Sequence, residues 1–262
     1  MPELPEVELR KKYLESTSFN QNIKRVTVKD NKILETISAS ELERMLYSKK
    51  FVSCQRYGKY LFTNVSQKFW LVIHFGMTGD LKYFKSIGDD PLYDRLLVDF
   101  DNGFHLAFEC QRKFGRVSIA TGVEDFVEKK GLGKDALKLS FFDFKRIAKK
   151  RKGSVKNVLM NQHVIAGIGN LYSDEILFKT RIHPKTKINK LSSQEIEELF
   201  HNMKHVLKVG IRSQIEHSNF PKDFFLPYRV KEAKCPRCGG SIQTQKFSGR
   251  TAYFCGSCQT QP

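Results

Sequence analysis

The stretch KRIAKKRKGSVKNVLMNQHVIAGIGNLYSDEILF, residues 145–178, reads as a basic run followed by two helices with a glycine turn between them. Six of its first eight residues, from Lys145 to Lys152, are basic, and a run like that is ordinarily only a solvated face. Here it leads into something less ordinary. Ser154 is placed to cap a helix reaching Met160, Gly167-Ile168-Gly169 supplies a tight turn, and Asn170 opens a second helix on the pattern Leu171, Ile176, Leu177. The backbone N–H groups of that turn and of the helix N-terminus behind it would form an anion site. A basic helix feeding such a site reads as a module for the backbone of double-helical DNA.

Outward from this module the grammar changes in both directions. TGVEDFVEKKGLGKDAL, with Gly122, Gly131 and Gly133, is polar and reads as an inter-domain connection over 122–138. Upstream, IKRVTV (23–28), FVSCQRYGKYLFTNV (51–65) and FWLVIHF (69–75) are rich in β-branched and aromatic residues, with a turn at Tyr57-Gly58-Lys59. Asp101-Asn102-Gly103 between two alternating runs predicts a hairpin, and SASELERML predicts a helix. Downstream, Ser192 and Glu195 form a capping box before Ile196, Leu199, Phe200, Met203, Val206 and Leu207 at helical spacing. The fold class is therefore α+β. An N-terminal β-sandwich flanked by helices fills 1–121, a helical domain 139–220, and a short loop with a cysteine-rich tail 221–262.

The 262 residues contain 45 lysines and arginines against 28 acidic residues, a formal charge of +17. Such a balance points to a polyanionic partner, nucleic acid first and an anionic membrane surface second. The first residues are acidic and no apolar run approaches a membrane span, so neither signal peptide nor anchor is expected. The cytoplasm or nucleoid is the expected compartment. Of six cysteines, Cys235, Cys238, Cys255 and Cys258 form two CxxC pairs separated by 16 residues, the ligand set of a structural zinc site with four thiolates. Zinc so held has no open position and no catalytic metal is expected. Between the pairs, KFSGRTAYF predicts a hairpin with Ser248-Gly249 at its tip and Arg250 just after, where a phosphate contact would cost little entropy. Cys54 and Cys110 read as buried core thiols.

Three further stretches carry apolar or ionisable residues in unusual places. The chain opens MPELPEVE; Pro2 suits a first helical position and carboxylates suit a helix N-terminus, yet removal of Met1 would also free the secondary amine of Pro2 beside Glu3. HFGMTG presents Met77 in a glycine-flanked turn, and QRKFG presents Arg112 and Phe114. By default such residues are core, but beside glycine on a basic protein they are equipment for wedging into a base stack and pairing an orphaned base.

Taken together, PELPEVE, GKYL (58–61), HFGMTG (74–79), RKFG (112–115), AGIGNLYSDEILF (166–178) and the CxxC pairs resemble the formamidopyrimidine-DNA glycosylase and endonuclease VIII family, in its order and across nearly the whole chain. The resemblance implies a two-layer β-sandwich, a helix-two-turn-helix module and a zinc finger. It also implies a bifunctional glycosylase and AP lyase of base excision repair acting on damaged double-stranded DNA. By position it makes Pro2 the nucleophile, Glu3 the general acid/base and Lys59 the phosphate contact that assists elimination. Met77, Arg112 and Phe114 would fill the gap left by the flipped nucleotide. His74, Tyr93, Lys152, Lys156 and Asn170 match DNA contacts, and Arg250 the zinc-finger arginine gripping the phosphates beside the lesion. Glu6 and Glu175 lie in family motifs as supporting residues. A monomer is expected.

Three departures bear on the substrate. Tyr93 stands where the branch for oxidised purines often has histidine, and Gln111-Arg112-Lys113-Phe114 stands for PRRF. The segment between Ile215 and Cys235 also looks several residues short for a loop that closes over 8-oxoguanine. The expectation is weak handling of 8-oxoguanine and preference for formamidopyrimidines, hydantoins or oxidised pyrimidines. PELPEVE favours the formamidopyrimidine branch. An endonuclease VIII-like enzyme for oxidised pyrimidines and a non-catalytic damaged-DNA-binding protein remain as alternatives, the latter having no need of Pro2 and Glu3.

Overall fold

The computed structural model describes residues 1–214, 219–247 and 249–260. It comprises two compact units, Met1–Pro2 with Glu6–Gly131 and Glu3–Pro5 with Leu132–Pro262. The first helix, α1, spans Leu4–Thr17. Pro2 and Glu3 therefore precede it, which corrects the expectation that Pro2 takes the first helical position. Pro5 sits in the first turn instead, where a missing N–H leaves no intrahelical bond unmade.

The first unit continues with β1 (Ile23–Val28), α2 (Ala39–Leu46), β2 (Phe51–Tyr57), β3 (Tyr60–Val65), β4 (Phe69–His74), β5 (Gly79–Phe84), β6 (Asp94–Phe100), β7 (His105–Cys110) and β8 (Arg116–Ala120). The strands form two antiparallel four-stranded sheets, ordered β1-β6-β7-β5 and β2-β3-β4-β8. Alternation along each strand sends one set of side chains into a shared core: Leu61 and Val65, Leu71 and Ile73, Leu96, Val98 and Phe100, Leu106 and Phe108. This is the expected two-layer sandwich. Two turns decide its hairpins. Gly58 has φ +56° in the two-residue link that sets Tyr57 opposite Tyr60, and Gly103 has φ +80° between β6 and β7.

Residues 122–138 are not a bare connection. They contain α3, Val123–Lys129, whose Val123 and Phe126 pack on Phe62 and Val72. The polar composition hid two apolar anchors spaced for one helix face, and they tie this helix to the sandwich unit. The unit boundary consequently lies at Gly131 and Leu132.

The second unit contains β9 (Lys134–Asp135), α4 (Phe141–Lys150), α5 (Val155–Met160), β10 (Ile165–Ala166), α6 (Asn170–Lys179), α7 (Ser193–Arg212), β11 (Ile242–Phe247) and β12 (Arg250–Cys255). Ser140, Ser154 and Ser192 cap α4, α5 and α7 through backbone N–H groups three residues on. At Ser192 the capping box is complete, with Glu195 accepting the Ser192 N–H at 2.7 Å. Its core joins Phe144, Leu159, Ile168, Tyr172, Ile176, Leu177, Leu199, Met203 and Leu207. Helix α7 passes close to α6 because residue 210 is glycine; a Cβ there would stand 2.7 Å from the Tyr172 ring.

Candidate active site and nucleic-acid interface

In the second unit, the glycine turn before α6 does bind an anion, and the anion is the chain's own Glu3. The carboxylate is 3% exposed. Its Oε2 accepts the Gly169 N–H at 2.6 Å and the Tyr172 N–H at 3.4 Å, and its Oε1 accepts the Leu171 N–H at 2.8 Å. Three donors and the positive end of α6 converge on one side chain. The glycines make this approach possible: a Cβ on Gly169 would lie 2.3 Å from the Glu3 carboxyl carbon, and one on Gly167, at φ +115°, 2.6 Å from Leu4. The expectation of a phosphate in this turn is thereby corrected, because the donors are already occupied from within the chain.

In the first unit, the turn between β2 and β3 presents Lys59, which is buried. Arg56 braces this turn, donating from Nη1 to the Gly58 carbonyl at 3.2 Å and from Nε to Glu8 at 2.7 Å. Burial pushes the Glu8 carboxyl up, but Arg56 and Lys11 outweigh it and hold the group below the usual carboxylate range. Glu6 is half-buried on α1. His74, at the end of β4, is lowered to about 4 by burial and then by the nearby Lys59 charge. Its Nδ1 accepts the Gly76 N–H at 3.3 Å. The neutral ring thus presents Nε2–H as its donor.

The two loops of this unit bearing Met77 and Arg112 to Phe114 are pressed together. A Cβ at Gly76, φ +60°, would meet the Phe114 backbone at 2.4 Å, and the Arg112 N–H donates to Thr78 Oγ1 at 3.2 Å. Lys113 has φ +54° and is pinned by an ion pair to Asp30 at 2.7 Å. Phe114 is 50% exposed, with the Arg112 guanidinium over its ring at 5.4 Å. Met77 is only half-buried, neither core nor fully displayed. Tyr93 is exposed, and its carbonyl accepts the Cys110 N–H at 2.9 Å.

Elsewhere in the second unit the residues expected to touch DNA divide. Lys152 is exposed after α4, and Arg250 is exposed at the start of β12. Asn170 donates from Nδ2 to the Thr251 carbonyl at 2.9 Å. Lys156 is the exception: it is fully buried on α5 and cannot reach a phosphate. Its ammonium pairs with Asp174 and donates to Ser173 Oγ at 2.9 Å. The physical reason is the buried Asp174 of α6, which needs a counter-ion and finds the nearest one across the helix pair. Burial pushes the Asp174 carboxyl up and the Lys156 ammonium down, while their attraction opposes both.

Glu175, the neighbour of Asp174, is fully buried and accepts the Leu226 N–H at 2.7 Å. Residues 215–218 of the short segment lie outside the described residues, but residues 223–226 are anchored to α6. Phe225 stacks on Phe178 with centroids 4.9 Å apart, and Lys179 pairs with Asp223 at 2.6 Å. Burial outweighs the Phe225 and Leu226 N–H groups and pushes Glu175 up to about 7. Between the unfolded value of 4.5 and 7 the folded chain holds the extra proton, so this group destabilises progressively as pH rises through that window. The full effect is about 3 kcal/mol. Glu175→Gln removes it, and thermal unfolding should show the melting temperature of the variant rising relative to the parent from pH 5 to pH 8; a constant offset would contradict the assignment.

The four sulfur atoms of Cys235, Cys238, Cys255 and Cys258 lie within 4.8 Å of one another. The Cys235–Cys258 and Cys238–Cys255 separations of 3.9 and 3.6 Å suit the corners of a tetrahedron with about 2.3 Å metal–sulfur bonds. The Arg237 and Gly240 N–H groups donate to Cys235 and Cys238 sulfur, each at 3.4 Å, as befits thiolates. The cluster fits one structural zinc ion. Gly249, φ +76°, turns the hairpin, while Ser248 at the expected tip lies outside the described residues.

Reading the sequence missed Asp174, Arg229, Glu8, Arg56 and the Asp30–Lys113 pair. One signal was available: two adjacent acids in a helix whose other residues from Tyr172 to Phe178 are almost all apolar must find partners. The others act through contacts distant in sequence.

Three family models match in order: the formamidopyrimidine-DNA glycosylase N-terminal domain over 1–117, its H2TH domain over 132–221, and the zinc finger found in FPG and IleRS over 233–261. The formamidopyrimidine-DNA glycosylase of Pelotomaculum thermopropionicum is 32% identical over 276 residues, covering 99% of each chain. That of Ligilactobacillus salivarius is 33% identical over 277 residues, again covering 99% of each. Among solved structures, a complex between the Lactococcus lactis Fpg and abasic-site DNA matches with TM-score 0.91 and 27% identity, covering 99% of this chain and 100% of that one. A complex of the same protein with FAPY-dG DNA matches at TM-score 0.89 with the same identity and coverage. The chain belongs to the formamidopyrimidine-DNA glycosylase family.

Proposed function

We propose that this chain is a bifunctional DNA glycosylase and AP lyase that removes oxidised purines, and that Pro2 is its nucleophile once Met1 is cleaved. The observation that carries this reading is the Glu3 carboxylate, buried and held by three backbone donors, on the residue next to Pro2. A free secondary amine attacks C1′ of the damaged nucleotide, and the base leaves with the electron pair of the glycosidic bond. Glu3 delivers a proton to the sugar oxygen or the departing base and later carries protons onward. The attached nitrogen loses its proton and its lone pair expels the sugar ring oxygen from C1′, opening the ring to an iminium that acidifies the C2′ proton. Loss of that proton expels the 3′ phosphate, and a second elimination expels the 5′ phosphate.

Other residues bind and hold. Lys59, His74, Tyr93, Lys152, Asn170 and Arg250 are assigned to the phosphate backbone, with neutral His74 donating from Nε2. Met77 and Phe114 occupy the space of the everted nucleotide, and Arg112 meets the orphaned base. Glu6 supports the N-terminal segment. Residues 132–262 carry 24 lysines and arginines against 10 acidic residues, so the excess charge lies with the helical module and zinc finger. The relatives bear the same enzyme name, and the matching Lactococcus lactis complexes hold abasic and FAPY-dG DNA. Every residue invoked comes from one chain, so we infer an active monomer in a DNA-containing compartment; among the described residues no helix is long and apolar enough to cross a membrane.

Substrate choice follows from the segment 219–229. Asp223, Phe225 and Leu226 are tied to Lys179, Phe178 and Glu175 of α6, and a short segment anchored at these points has less chain to fold over a base. Single-turnover cleavage of duplexes differing only in the lesion should give formamidopyrimidine and hydantoin rates at least about tenfold above 8-oxoguanine opposite cytosine, equivalent to about 1.4 kcal/mol of transition-state contact. Equal rates would remove the loop argument.

A further inference from the structure

We propose that Asp174 is a positioning residue for the DNA grip, locking the zinc hairpin onto α6 and so fixing where Arg250 stands. The proposal rests on the assignment of Arg250 to phosphate. Asp174 is fully buried in the middle of α6, and three separate parts of the second unit converge on its carboxylate. From α5, Lys156 pairs with Oδ1. From the segment preceding the zinc site, Arg229 donates from Nε to Oδ2 at 2.8 Å. From β12, the Tyr253 backbone N–H donates to the same oxygen at 3.2 Å.

The arrangement goes beyond neutralising a buried acid. One cation would do that, and Lys156, itself without solvent exposure, already does. The second cation is stacked, with the Arg229 guanidinium 4.3 Å above the Tyr253 ring. The side chain of residue 253 is thus clamped by Arg229 while its main chain is held by Asp174. One helical turn earlier, Asn170 reaches the Thr251 carbonyl at 2.9 Å. Helix α6 therefore grips β12 at residues 251 and 253, immediately beyond Arg250. The hairpin itself is only two strands, β11 and β12, and a two-stranded ribbon has little power to hold its own orientation. Zinc organises the cysteine end, and the Asp174 and Asn170 bonds hold the strand that carries the arginine.

Removing the charge should loosen the strand without touching a zinc ligand. Asp174→Asn keeps the shape and an acceptor but leaves Lys156 and Arg229 without their anion. Because Lys156 is buried, this variant risks misfolding, so Arg229→Gln, which keeps the Lys156–Asp174 pair, serves beside it. Two measurements decide the matter. Amide hydrogen exchange should show the Tyr253 N–H opening at least tenfold faster in both variants at unchanged zinc content. Titration of a duplex bearing a tetrahydrofuran abasic analogue, over a range of salt, should show weaker binding and a slope of log K against log salt reduced by about one, as if one phosphate contact were lost.

Coupling to Arg250 is the sharper arm. In the Arg250→Ala background, either variant should add less than about twofold to the loss in affinity, since the contact they serve is already gone. Full additivity with an unchanged salt slope would overturn the proposal, as would unchanged Tyr253 exchange in a folded, zinc-loaded variant. If Arg250→Ala alone leaves DNA affinity intact, the phosphate role of Arg250 fails. The lock on the hairpin is then still decided by the exchange measurement.

Discussion

Borohydride added during reaction with an abasic-site duplex is expected to fix the mature chain covalently to DNA, by reducing the iminium between Pro2 nitrogen and C1′ to a stable amine. The same protein with Met1 retained should give no complex. With Met1 attached the Pro2 nitrogen is an amide whose lone pair is delocalised into the carbonyl, and no iminium can form from it. Pro2 is buried even so, which places the prospective amine away from bulk water. Pro2→Gly exchanges a ring-fixed secondary amine for a mobile primary one, and trapping should fall on the order of 100-fold for the lost orientation. Glu3→Gln tests the other half of the pair. Its amide keeps a carbonyl for the Gly169 and Tyr172 N–H groups, sets its NH2 against the Leu171 N–H, and has no acidic proton to give. Base release should then fall by a factor on the order of 10² to 10⁴, the usual worth of a general acid, while trapping on a preformed abasic site suffers less. Absence of any trapped complex with the processed parent would end the lyase reading and leave a damage-binding protein.

Much of this architecture was legible before any coordinates. The strands announced themselves through runs rich in β-branched and aromatic residues and through glycine turns at Gly58 and Gly103, where the φ angles are positive. The caps at Ser154 and Ser192 were readable because they rest on residues three positions apart. What stayed hidden is what depends on distant partners. Nothing near MPELPEVE says that Glu3 will end 166 residues away on the Gly169 N–H. The glycine turn ahead of a helix N-terminus marked an anion site but could not tell an external phosphate from an internal carboxylate. Lys156 failed for the same reason: the resemblance matched it to a DNA contact, and nothing beside it in sequence says that its charge is used on the buried Asp174. The polar stretch 122–138 does contain the boundary between the units, but its composition hid a helix whose Val123 and Phe126 meet Phe62 and Val72.

The zinc site yields the other large effect. Cys255→Ser replaces one of four thiolates with a hydroxyl, a poor ligand for zinc, and should release the metal on dialysis against a chelator that leaves the parent loaded. Cys255 is fully buried among Phe178, Phe225 and Ile242, so a polar group left there also loses packing. The sandwich should be unaffected, because its core draws on none of these residues; strand signatures in circular dichroism and exchange protection of β3 and β4 should persist. DNA affinity should fall between about 10- and 100-fold, the worth of about 1.5–3 kcal/mol for the charge-assisted contact of one well-held arginine. Arg250→Ala separates the two contributions. It should match most of that loss while the zinc stays bound, since Arg250 is exposed and five residues from the nearest ligand, Cys255. If Cys255→Ser loses zinc yet binds the abasic-analogue duplex as tightly as the parent, the hairpin holds nothing the DNA needs. If its metal content is unchanged, Cys255 is not a ligand.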